Sequence, residues 1–165
     1  MQSNHTKSVA LSGVLAAVAV VIMCLGGFIP VATYVCPMLC TMTQFLVLQF
    51  CGKRMGWTWF VAVSILSLLL GPDKEAAMVF LAVGYYPLIK FKMESYRLAI
   101  VFKLLLFNIS IAAVYSMMIY LMGMAEIAAE NMEFGLIGLV VILIMGNITF
   151  LLLDRLLSLM ARKFR

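Results

Sequence analysis

The sequence predicts an all-α integral membrane protein, a compact bundle of six transmembrane helices in one domain, residues 1–165, with both termini in the cytoplasm. Three observations predict it. The chain is 65% hydrophobic and only 12% charged, where globular proteins are about 45–50% apolar and about 25% charged. Its mean hydropathy is +1.13, and 165 residues leave room for five or six spans of about 20 residues each. Its basic residues, finally, fall almost entirely on one side of the spans that the apolar runs define.

Between Lys7 and Lys53 lie 45 uncharged residues, too many for one span and enough for two. Gly26-Gly27-Phe28-Ile29-Pro30 divides them, predicting a first helix near residues 9–25 and a second near 37–51. Pro37 suits a first helical turn, so residues 31–36 are expected to form a loop dipping into the outer face. No small-x-small cleavage pattern closes the first apolar core, so that span is expected to be retained. Lys53-Arg54 end the pair, and Trp57 and Trp59 stand where an interfacial belt would open a third span, to about Leu70.

Leu70-Gly71-Pro72-Asp73-Lys74-Glu75-Ala76 forms the next turn, three charges between two apolar runs. Such a turn lies at a water boundary or lines a polar site at membrane depth. Asp73 and Glu75 suit a helix N-terminus, where the dipole favours negative charge. A capped helix start and a ligand site are both open on this pattern. The fourth span, 75–89, is short: its 14 uncharged residues rise about 21 Å, less than a hydrocarbon core of about 30 Å. Its outer end is therefore recessed, or neighbouring protein shields it. Tyr85, Tyr86 and Pro87 mark its inner end, and Lys90, Lys92, Glu94 and Arg97 are expected in the loop beyond. A fifth span covers about 98–122, an acidic loop carries Glu126, Glu130 and Glu133, and a sixth covers about 134–160.

With the N-terminus inside, the inner segments hold Lys7, Lys53, Arg54, Lys90, Lys92, Arg97, Arg162, Lys163 and Arg165, with Arg155 nearby. The outer segments hold only Lys74. This asymmetry carries the orientation. It also accounts for the net charge of +5, so no nucleic-acid partner is expected.

Within the spans, Lys103 and Asp154 share a depth near the cytoplasmic ends of the fifth and sixth helices. An unpaired charge there costs about 2.5–3.5 kcal/mol on insertion scales. An ion pair between the helices is the leading expectation, ahead of snorkelling by Lys103 and of a proton relay. Asn147 shares a face with Asp154, as Asn108 does with Tyr115, and such residues join helices or line a polar cavity. In the first span Ser12/Ala16 and Gly13/Ala17 place small residues four apart, allowing close approach of a helix from this chain or a partner. Cys36, Met38, Cys40 and Met42 offer soft ligands suited to Cu(I), but no His lies near, and the four cysteines read more simply as small membrane hydrophobes. No metal or other cofactor is expected. Neither an ATP-binding Gly-x4-Gly-Lys-Ser/Thr loop, nor His-Glu-x-x-His, nor Gly-x-Ser-x-Gly occurs, and an enzyme is not expected.

With its six spans, its small-residue first helix at 10–19, the Gly26–Pro30 break and the 70–76 turn, the chain resembles the substrate-binding S component of energy-coupling factor (ECF) transporters over essentially its whole length. In that family an Ala-x-x-x-Ala motif on the first helix meets a transmembrane coupling subunit. Ser12/Ala16 and Gly13/Ala17 stand in its place here. The resemblance implies capture of a vitamin-like molecule from outside by the loops after spans one, three and five. It also implies delivery with a coupling subunit and two cytoplasmic ATPases in the bacterial cytoplasmic membrane. The expected ligand contacts are Thr33, Tyr34, Asp73, Lys74, Glu75 and Asn131. Lys74 would pair with a ligand carboxylate or phosphate, or neutralise Asp73 and Glu75.

Two rivals belong to other classes. A membrane scaffold resembling the rod-shape protein MreD would bind no small molecule and would present an apolar outer recess. A soft-metal carrier would use Cys36, Met38, Cys40 and Met42.

Overall fold

The computed structural model describes residues 2–26, 32–93, 99–120 and 135–163, without the side chains of 2–5, 32, 91, 119, 135–139 and 141–142. The helices are α1 (Gln2–Gly26), α2 (Ala32–Leu70), α3 (Lys74–Val83), α4 (Tyr86–Met93), α5 (Ala99–Tyr120) and α6 (Gly135–Lys163). No strand occurs among the described residues. Four stretches are long and apolar enough to cross a membrane: Thr6–Gly26, Thr33–Leu70, Ala99–Met118 and Leu143–Lys163. Large apolar side chains also cover the outside, among them Val14, Leu69, Ile100 and Leu152, each more than 60% exposed. Helices apolar on every face suit lipid rather than water. The chain forms two compact units, Met1–Arg97 and Leu98–Arg165.

In the first unit α2 is not one rod. A straight helix of 39 residues would hold its ends about 58 Å apart. Yet the Thr33 hydroxyl at its start donates to Asp73 Oδ2, just past its end, at 2.8 Å. The chain reverses at Gly52, whose φ of 85° and ψ of 172° lie in a region open essentially to glycine alone. Residues 32–51 and 53–70 are thus two antiparallel arms. The break is a single residue, and Lys53 and Arg54, expected to close a helix pair, already lie in the second arm.

α1 runs beside the first arm in the opposite sense. Near the bend the Cys51 thiol donates to the Ser8 carbonyl at 3.4 Å, and midway the Cys40 thiol donates to Ala19 at 3.4 Å. Ala19 and Met23, Cys36, Cys40 and Val47, Trp59 and Val63, and Ala76, Ala77 and Phe80 form one core from α1, both arms and α3. Trp59 is thereby corrected from interfacial to core, 3% exposed and edge-on to Phe80. Trp57 does remain exposed.

The fourth helical segment departs from expectation in a second way. α3 is short but walled in by protein, with Ala76–Phe80, Ala82 and Val83 buried. After a turn at Gly84 and Tyr85 the chain continues as α4. A Cβ on Gly84 would come within 2.9 Å of both Phe60 and Phe80, so this turn admits no larger side chain without repacking. Lys90 and Lys92, expected in a loop, are helical, and Lys90 is fully buried. Its ammonium lies 5.8 Å from the centre of the Tyr86 ring, a cation–π distance. A residue expected at the surface is thus held by an aromatic neighbour within its own helix.

The second unit is the antiparallel pair α5 and α6. Phe107 stacks on Phe150 at 4.5 Å, beside buried Val114, Met118, Leu153 and Leu157.

Candidate functional site

At the end of the first unit opposite Gly52, the expected contact residues come together. Ala32 opens α2, so Thr33 and Tyr34 lie in its first turn and not in the loop expected over 31–36. Pro37 sits one turn further in. Lying past the first turn, it gives no N–H to the Thr33 carbonyl, and its ring crowds that carbonyl. Asp73 is the N-cap of α3, accepting from the Ala76 N–H at 3.0 Å through Oδ1 and from Thr33 through Oδ2. Tyr34 Oη donates to Glu75 Oε1 at 3.2 Å. Two helix starts are thereby tied by paired side chains.

In this structure Lys74 closes a helix end. Its ammonium donates to the carbonyls of Leu68 at 2.7 Å and Gly71 at 2.9 Å. Those carbonyls close the second arm of α2, where a helix leaves acceptors without intrahelical partners and the dipole favours a cation. Asn131 lies outside the described residues, as do Glu126, Glu130 and Glu133.

Beneath this rim lies a set that the sequence pattern did not single out. The amide nitrogen and oxygen of Gln44, Trp59 Nε1, and the hydroxyls of Ser64 and Ser67 are buried without a hydrogen-bond partner. Gln44 and Ser67 are fully buried. Hydroxyls in helices usually donate to a carbonyl three or four residues back. Ser12, Thr41, Thr43, Thr58, Thr149 and Ser158 all do so here. Ser64 and Ser67 do not. An unpaired buried polar group costs about 1–3 kcal/mol, and such groups are rare in folded proteins. The signal available in the sequence was Gln44 itself, the long amide in the middle of an uncharged run.

The two small-residue pairs of α1 divide. Ser12 is buried and Ala16 packs against the core, so this pair serves the chain's own packing. Gly13 and Ala17 are exposed, and a Cβ on Gly13 would meet nothing within 4 Å. In the second unit Lys103 Nζ lies 3.1 and 3.2 Å from the two oxygens of Asp154, with side chains 6% and 19% exposed. One step along the same interface Asn108 and Asn147 exchange hydrogen bonds at 2.9 and 3.2 Å. Cys36 and Cys40 are buried thiols. Among the described residues no group of three His, Cys, Asp or Glu side chains could hold a metal ion.

Comparison with protein-family models, with curated proteins and with solved structures finds no match for this chain.

Proposed function

We propose that the chain is the solute-binding subunit of a membrane transporter, resembling an S component of the energy-coupling factor type. It crosses a bacterial cytoplasmic membrane six times, with both ends inside: α1, the two arms of α2, α3 with α4, α5 and α6. Lys7, Lys53, Arg54, Lys90 and Lys92 belong to the Gly52 end of the first unit, and Asp73, Lys74 and Glu75 to the other. This distribution supports a cytoplasmic Gly52 end and an outer rim at Thr33, Tyr34, Asp73 and Glu75.

The observation that carries the solute-binding role is the unpartnered polar interior beneath that rim. A scaffold that only packs against other helices has no use for a buried amide and hydroxyls left unpaired, whereas a binding protein meets the cost when a solute supplies the missing bonds. Energy would come from a coupling subunit and two ATPases, since the chain has no phosphate-binding loop of its own. The exposed Gly13/Ala17 stripe of α1 would let a coupling helix approach closely.

Native mass spectrometry of the protein extracted gently from its host membrane tests this. One small molecule retained per chain, together with ATPase subunits, is the expected result. A bare mass accompanied only by a cell-shape partner would replace the proposal with a scaffold.

A further inference from the structure

We infer that the two arms of α2 enclose a binding site for a small, uncharged, planar solute bearing an amide-type edge, built on Gln44, Trp59, Ser64 and Ser67. This rests on the solute-binding role proposed above and assigns that role a place and a chemistry.

Gln44, Trp59 and Ser67 share faces with one core cluster of the two arms, and Ser64 adjoins Val63 of that cluster in the chain. Gln44 follows Cys40 by one turn and precedes Val47 on the same face of the first arm, and both neighbours belong to the core. Trp59 and Val63 of the second arm belong to that core too, and Ser67 follows Val63 by one turn on the same face. Because the arms fold back at Gly52, Trp59 stands within about 2 Å of Gln44's level. Ser64 lies about 6 Å further toward the Asp73 end and Ser67 about 10 Å, at about 1.5 Å per residue. The polar atoms thus climb from Gln44 and Trp59 toward the rim at Thr33 and Asp73.

Their chemistry selects the solute. Gln44 offers a donor and an acceptor side by side, the complement of a carboxamide or lactam edge. Trp59 adds a donor, and the two hydroxyls donate or accept. The charged side chains described in this unit all belong to its two ends and none to this cluster, so a charged solute would enter without a counter-ion, at high cost. The Phe80 ring meets those of Trp59 and Phe60, and aromatic walls favour a flat partner. In this structure the interior is closed over the polar atoms. A solute reaches them by parting the arms, and Gly52, where they join, is the one described residue with positive φ.

The test uses full-length protein in lipid nanodiscs, with benzamide as the probe and benzoate as its charged isostere. Benzamide is expected to raise the Tm of the wild type, and benzoate to leave it unchanged. Gln44→Leu keeps the bulk and removes both amide atoms. It is expected to raise the Tm measured without probe, since an unpaired buried group is gone, and to weaken benzamide binding about 10- to 100-fold. Ser67→Ala should act in the same direction. A lower Tm in Gln44→Leu, an undiminished benzamide shift in that variant, an equal shift with benzoate, or no shift with benzamide would each overturn the site. Native mass spectrometry separates this from the broader proposal. A host molecule retained equally by wild type and Gln44→Leu removes this site and leaves solute binding standing. Gln44-dependent benzamide binding without any retained host molecule or ATPase leaves the site and removes the transport role.

Discussion

Replacing Asp154 by Asn leaves the volume of the α5–α6 interface unchanged and removes one charge. Lys103, with its side chain 6% exposed, would then face a neutral amide at the distance where the carboxylate now sits. Breaking a buried pair on one side costs about 3–5 kcal/mol because the remaining charge is uncompensated. Asp154 retains 19% exposure, which brings the expected loss to the lower end, roughly 3 kcal/mol or about two decades in the folding equilibrium. Lys103→Met alone should cost a similar amount. The double variant Lys103→Met with Asp154→Leu leaves no charge behind and should return to within about 1 kcal/mol of the wild type, as apolar replacements of buried pairs often do. Unfolding of the four proteins by detergent titration in mixed micelles gives the cycle directly. Additive losses, or single variants within about 0.5 kcal/mol of the wild type, would refute the pairing. That outcome would show instead that Lys103 reaches the headgroups on its own, as a long cation near a helix end can.

Gly52→Ala should destabilise the first unit by about 1–3 kcal/mol, because its φ of 85° with extended ψ suits no residue with a Cβ; a thermal melt unchanged by the substitution would remove the sharp reversal. Asp73→Ala removes an N-cap and the acceptor of Thr33 and should cost about 1–2 kcal/mol, while Thr33→Val, losing one bond only, should cost about 1 kcal/mol. Equal losses in those two variants would show that the cap carries nothing. On α1, Ala16→Trp should impair folding, since Ala16 packs against the core. Ala17→Trp should leave the monomer's Tm unchanged and diminish co-purification of a membrane partner. Reversal of that order would move the contact face to the other side of the helix.

The helical segments and their order were legible because span length is a property of long windows. The helix expected near 9–25 and the charged turn at Gly71–Glu75 recur in the structure as α1 and the α3 cap; the second helix, expected to end near Cys51, does so at the Gly52 reversal, but Lys53 and Arg54 open the next arm instead of closing the pair. What composition could not supply was which face of each helix turns inward. Trp57 and Trp59 are two residues apart and opposite in fate, because about 200° of helical rotation separates them. Lys90 was assigned to a loop on its charge alone, and the neighbouring Tyr86 ring is a contact that the charge did not foretell. Lys74 was expected to pair with a solute anion or to neutralise Asp73 and Glu75; in this structure it donates to carbonyls at the end of the preceding helix. A helix terminus competes for a cation as well as a ligand does.

The same competition separates the outer rim from the interior as places for a solute. At the rim, Asp73 accepts from Thr33 and Ala76, Tyr34 donates to Glu75, and Lys74 closes a helix end. A solute binding there would have to displace bonds already made, and its gain would be the difference between two similar sets. In the interior, Gln44, Ser64 and Ser67 have nothing to give up, so each bond to a solute counts in full against the unpaired state. Charged residues drew attention to the rim because charge is conspicuous in an apolar sequence. Unpaired neutral groups, inconspicuous there, are where the binding free energy can come from. The rim then has a separate use: the Thr33–Asp73 bond joins the start of the first arm to the turn after the second. Breaking it in Asp73→Ala should ease parting of the arms and speed benzamide association, while leaving intact the Gln44 contacts that set its dissociation. An association rate unchanged by Asp73→Ala, with the dissociation rate altered instead, would place the solute at the rim after all.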